Sequence, residues 1–117
     1  DLDDAELDAA LEAVTGCGMD GIIISNTTIA RPPLRSSLSG ETGGLSGAPL
    51  AAMATAMVKK VSARLGGRLP IVASGGVMDA RSCREKLDSG AVLVQLYTGL
   101  IYEGPGLVKQ ILNSLNA

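Results

Sequence analysis

Three polar runs carry most of the residues that could do chemistry, and each directly follows a short aliphatic run. They are Ser25-Asn26-Thr27-Thr28, Ser74-Gly75-Gly76 and Tyr97-Thr98-Gly99. The Asn26 amide can both donate and accept, so it can pair with a planar polar edge of a ligand, and an adjacent hydroxyl can complete the set. Turn formation competes with this reading, because Asn and Thr readily bond their own backbone. A fourth run, Gly43-Gly44-Leu45-Ser46-Gly47, precedes a helical pattern whose first turn should hold Pro49. Backbone N–H groups aimed along a helix start attract phosphate. Gly75-Gly76 repeats that arrangement, and Tyr97-Thr98-Gly99 does something similar. Any one glycine cluster could be a hinge; three in register point to an anion site.

Other chemistries are missing from this inventory. The sequence has no His, which removes the commonest general base and the Ser-His and Cys-His nucleophile systems. Cys17 and Cys83 stand far apart, outside any C-x-x-C pattern, so no metal site is expected and both are read as reduced and structural. Chemistry here must come from a cofactor or from residues outside these 117.

The elements that must position the polar runs follow from periodicity. Residues 3–15 read as an amphipathic helix: Asp3 and Glu6 resemble a capping box, Leu7, Ala10, Leu11 and Val14 share a face, and Gly16 and Gly18 end it. Gly21–Ser25 is an aliphatic run without alternation, as expected of a strand buried on both faces. Leu50, Met53, Ala54, Met57, Val61 and Leu65 mark a second helix, with Met53 and Met57 as plain core residues. Pro70–Ser74 is a second strand, roughly Asp79 to Ser89 a third helix, and Ala91–Tyr97 a third strand. Pro105 opens a last helix whose apolar face is Leu107, Val108, Ile111, Leu112 and Leu115.

The order α-β-α-β-α-β-α argues for a parallel sheet with right-handed crossovers. A doubly wound open sheet and part of a (β/α)8 barrel both fit; a complete barrel takes about 250 residues. In either, the loops after strand C-termini build the site, and that is where the polar runs lie. The stretch from Asn26 to Gly47 far exceeds the usual βα connection of about 2–6 residues, which suggests a lid or binding loop. Its charged residues, Arg31, Arg35 and Glu41, read as solvated loop surface.

A core without Phe or Trp, built on Leu, Ile, Val, Ala and Met, suits parallel strands covered by helices. Net charge is −2 and the basic residues are scattered, so nucleic acid is not an expected partner. No apolar run approaches the ~20 residues of a membrane-spanning helix, and no signal peptide heads the chain. The start at Asp1, inside a charged helical stretch, is read as a segment of a longer protein.

Four runs in order, "DGIIISNTTIAR", "TGGLSGAPL", "LPIVASGGV" and "LVQLYTGLIYEGPGLVKQI", resemble the class 2 dihydroorotate dehydrogenases from Asp20 onward. The opening helix also fits. The "SNTT" run followed by an Arg is similar to class 2 rather than class 1. The resemblance implies a parallel (β/α)8 TIM-barrel fold, of which residues 1–117 supply the last three strands and their helices as one C-terminal part. It implies an FMN enzyme of pyrimidine biosynthesis that oxidises dihydroorotate to orotate, with a quinone reoxidising the flavin. Ser25, Ser46, Gly47, Gly75, Gly76, Tyr97 and Thr98 are then expected to contact FMN, and Asn26 and Thr27 the orotate ring. The family's serine base, its flavin-contacting lysine and its quinone-binding N-terminal helices belong upstream of Asp1. Peripheral association with the cytoplasmic side of a membrane, or with the mitochondrial inner membrane in a eukaryote, is implied through those helices. A phosphate-binding barrel segment of a non-flavin isomerase or synthase, and a non-catalytic half-barrel assembly module, are the alternatives.

Overall fold

In the computed structural model, which describes residues 1–117, the three aliphatic runs pair in parallel and in chain order. Strand β1 is Ile22–Ile24, β2 is Ile71–Ser74 and β3 is Leu93–Gln95. Ile24 aligns with Ala73 and Ala73 with Val94; one step earlier, Ile23 aligns with Val72 and Val72 with Leu93. The helices are α1 (Asp4–Gly16), α2 (Ala51–Leu65), α3 (Ala80–Asp88), α4 (Thr98–Glu103) and α5 (Gly106–Leu115).

Local chemistry explains the helix ends. Asp3 caps α1 with the expected reciprocal pair: the Glu6 amide donates to Asp3 Oδ1 at 2.8 Å, and the Asp3 amide to Glu6 Oε2 at 2.9 Å. Asp79 caps α3, its carboxylate accepting from the Ser82 amide at 2.7 Å. Hydrogen bonds from Ser82 hold the Asp79 carboxyl below the usual carboxylate range. Pro49 lies in a single 3₁₀ turn, Ala48–Leu50, that leads into α2, and Gly66 ends α2 in the left-handed conformation.

All the helices that touch the sheet do so on one face. Leu7 and Leu11 of α1 and Val58, Val61 and Leu65 of α2 bury against Ile24, Ile71 and Ala73. Cys83 of α3 and Leu107 and Ile111 of α5 form a second cluster that takes in Val94 and Leu96. Because Ile24, Ala73 and Val94 form one row across the sheet, both clusters lie on the same side. A doubly wound sheet would place helices on both sides. Adjacent strands in sequence order with all helices on one face make the arrangement of a (β/α) barrel segment. Three strands do not close, and the domain is a two-layer slab of 41 × 40 × 18 Å.

Two expectations change. The strands are not buried on both faces: Ile23 is 61% and Leu93 63% exposed, because no second layer covers their side of the sheet. The third strand is also shorter than Ala91–Tyr97, and Tyr97-Thr98-Gly99 is not a loop but leads straight into α4. Cys83 is buried as expected and burial raises its thiol pKa, whereas Cys17 is exposed at the end of α1. No helix is long and apolar enough to cross a membrane.

Candidate functional site

Parallel pairing brings the C-terminal ends of all three strands to one edge of the sheet, and a cleft of about 510 Å3 opens there. Its walls include the nine residues expected to contact a ligand: Ser25, Asn26 and Thr27 after β1; Ser46 and Gly47 before α2; Gly75 and Gly76 after β2; Tyr97 and Thr98 after β3. The walls are tied together by polar contacts. The Ser25 amide donates to the Ser74 carbonyl at 3.4 Å, and Thr98 Oγ1 donates to Ser46 Oγ at 3.0 Å. Val77 and Gln95 also line the cleft, and sequence reasoning passed over both. Gln95 left a signal, being the one polar side chain inside the apolar run of β3.

No charged side chain lines this cleft. Its chemistry lies in the backbone. The N–H groups of Gly47, Gly75, Gly76 and Val77 donate to no acceptor within the chain, although Gly47, Gly76 and Val77 are buried. Buried amides are almost always paired, so a cluster of free ones fits an anion with several acceptor oxygens. The donor set suits a phosphate. No group of three or more His, Cys, Asp or Glu that could hold a metal ion is present.

Asn26 serves both of its competing readings at once. Its Oδ1 accepts from the Thr27 amide at 2.8 Å, which is the local turn, while its side-chain NH2 group donates to nothing in the chain. Thr28 is structural: it is 1% exposed, pairs with Leu45 in an antiparallel bridge, and accepts from the Ala30 amide through Oγ1 at 3.0 Å. Gly44 lies directly against the Thr27 side chain, where a Cβ would collide with Thr27 Oγ1.

Arg31 is no idle surface charge. Its guanidinium donates to the carbonyls of Ile29 at 3.1 Å, Ala30 at 3.2 Å, Glu41 at 3.0 Å and Gly43 at 2.6 Å. It therefore clamps the two arms of the long loop and holds Asn26 and Thr27 opposite Ser46 and Gly47. A lysine, as a compact point charge, has no such planar fork. Arg35 has no comparable bonds and stays on the exposed surface, as its sequence reading had it.

The need for glycine at position 76 has a packing origin. Gly76 has φ +72°, and a Cβ there would fall onto the Cα and N of Ala51 at the start of α2. A larger residue at this position would strike helix α2.

A single layer of helices on a sequentially ordered parallel sheet, with an uncharged amide-rich cleft at the strand ends, defines a segment of a (β/α) barrel. The chain belongs to the dihydroorotate dehydrogenase family: the family model described as "Dihydroorotate dehydrogenase" matches residues 1–117. It is 45% identical over 115 residues to the dihydroorotate dehydrogenase (quinone) of Sphingopyxis alaskensis, and 48% identical over 111 residues to that of Chromobacterium violaceum. These alignments cover 98% and 94% of this chain and 32% of each relative. The crystal structure of ligand-free DHODH from Eimeria tenella superposes with a TM-score of 0.93 at 40% identity, covering 98% of this chain and 32% of that one. The chain thus spans about a third of the length of these relatives.

Two outcomes are expected. Gly76→Ala should lower the stability of the ligand-free protein by about 2–3 kcal/mol, through strained backbone and collision with α2. Chemical denaturation checks this, and unchanged stability would return Gly76 to a role in ligand access alone. Arg31→Lys should speed hydrogen exchange at the Thr28 and Leu45 amides about tenfold, the equivalent of one lost charge-assisted bond. Protection equal to that of the unaltered protein would show that the clamp is dispensable.

Proposed function

We propose that this chain forms the C-terminal part of the barrel of a quinone-dependent dihydroorotate dehydrogenase and contributes the phosphate end of its FMN site and one edge of its orotate site. The observation that carries this reading is the convergence of Ser25, Asn26, Thr27, Ser46, Gly47, Gly75, Gly76, Tyr97 and Thr98 on one cleft whose amides are free. The match to quinone-type relatives along nearly the whole chain supports it.

When bound, FMN supplies the two-electron acceptor for the carbon 6 hydride of dihydroorotate, and a quinone carries the electrons on. The chain's own residues bind and orient. The amides of Gly47, Gly75, Gly76 and Val77 hold the phosphate oxygens. Ser46 and Thr98, bonded to each other, would join them in holding the phosphate and ribityl part of the group, together with Tyr97. Ser25 meets the flavin, and the free NH2 group of Asn26 and the Thr27 hydroxyl meet the pyrimidine edge. No group in this cleft is placed to take the proton that the substrate loses along with the hydride. That base, a serine in the family, belongs to the part of the protein upstream, as do the flavin-contacting lysine and the helices that bring quinone and membrane surface.

The test is made on the full-length protein. It should purify yellow, with flavin absorbance, and reduce a quinone in the presence of dihydroorotate, while the 117-residue chain alone should turn over none. A colourless full-length protein with phosphate affinity would favour a non-flavin barrel enzyme, which could use the same amides. Within the full-length enzyme, Asn26→Ala should weaken orotate binding roughly tenfold or more with FMN retained, since a bond to a charged or strongly polar ligand is worth about 1.5–3 kcal/mol. Titration of the holoenzyme with orotate reads this, and an unchanged dissociation constant would remove Asn26 from the substrate site.

A further inference from the structure

The largest side chain fully hidden from solvent is a lysine. Lys86 of α3 is 0% exposed, and its Nζ donates to the Ala51 carbonyl at 2.9 Å and to Thr55 Oγ1 at 2.5 Å. Thr55 Oγ1 itself donates to the Ala51 carbonyl at 2.9 Å. The ammonium, the hydroxyl and the carbonyl close a triangle on the first turn of α2. No carboxylate joins it: the neighbouring Glu85 pairs with Arg81 at 3.1 Å, and none of the ion pairs in the chain includes Lys86.

For stability alone this is a poor arrangement. A buried ammonium whose partners are all neutral is costly, and burial lowers the Lys86 pKa from its ordinary value. The cation also stands at the N-terminal turn of α2, the positive end of the helix dipole. Both costs fall if an anion sits close by. The cleft that would hold one begins on the other side of Ala51, because Gly76 lies flat against the Ala51 backbone.

We propose that Lys86 is a positioning residue for the anion cradle: it pins the first turn of α2 against the Gly75-Gly76 turn and supplies, from behind the wall, the positive charge that the cleft's own lining lacks. This rests on the reading of the cleft as a phosphate site for FMN. Lys86 touches neither ligand nor substrate. It acts through Ala51 on the placement of the Gly76 and Val77 amides, and through its field on the phosphate.

Flavins with and without phosphate separate this role from simple space filling. In the full-length protein stripped of flavin, Lys86→Met keeps the volume and removes the charge. FMN affinity should fall about tenfold, as expected for a lost charge–dipole alignment near one phosphate. Riboflavin affinity should not change, and the melting temperature of the flavin-free protein should stay level or rise. Unchanged FMN affinity overturns the proposal. So does an equal loss for both flavins with a lower melting temperature, which is the signature of packing alone. Should Lys86→Met fail to fold, Lys86→Gln keeps a donor to Ala51 and drops the charge; a selective loss of FMN supports the proposal, and an equal loss or none overturns it. An unaltered protein that binds neither flavin removes the FMN reading itself, whereas one that binds FMN while both variants match it removes Lys86 alone.

Discussion

Parallel pairing of three strands in chain order is the constraint on which the rest of this structure depends. Parallel strands end at the same edge, so the loops after Ile24, Ser74 and Gln95 have no choice but to meet. Consecutive order with right-handed crossovers then sends every covering helix to one face. The same geometry brings the loops that lead into α2 and α3 to that edge, and the cleft there collects the unpaired amides of Gly47, Gly75, Gly76 and Val77. A site for an anion is thus a by-product of the pairing before any side chain is chosen.

Side chains decide how firmly the edge is held. The loop between β1 and α2 is long enough to wander, yet it is closed by the Thr28–Leu45 bridge and by the Arg31 guanidinium on carbonyls of both arms. Gly44 permits the closure, because only a hydrogen fits against Thr27. The opposite wall is fixed differently: the bond between Thr98 and Ser46 links α4 to the entry of α2 across the cleft. Two walls held by unlike devices can be loosened separately, so the two sides of the cleft need not share one stability.

Much of this was legible in the sequence, and the residues say why. The Asp3/Glu6 capping box is a local code and stands as read. The nine residues expected to contact a ligand meet in one cleft because strand ends and glycine runs gather at the C-terminal edge of a parallel sheet. What escaped was non-local. Helix α4 is six residues long and contains Gly99, too short for a helical period to show. Arg31 looked like surface charge because its partners are backbone carbonyls, which have no letter in a sequence. Gly76 lines the cleft as expected, but the contact with Ala51 that also demands a glycine there lies about two dozen positions earlier in the chain. Lys86 lies in a polar helix of low mean hydropathy, and nothing in its neighbours announces that it is the residue turned inward.

The face of the sheet away from the helices completes the argument. Ile23 and Leu93 flank Val72 in one row across the three strands, and both are more than half exposed. Apolar rows on parallel strands are normally covered on both sides. In a closed barrel this row points to the interior and is covered by the facing strands. The cleft sits at the top of the same face, with Tyr97 73% exposed at its rim. Whatever covers Ile23 and Leu93 therefore also walls the cleft on its open side. Packing and the proposed function ask for the same surface: on that proposal, the strands that bury the apolar row would also bring a base and a flavin-contacting cation to a substrate at Asn26.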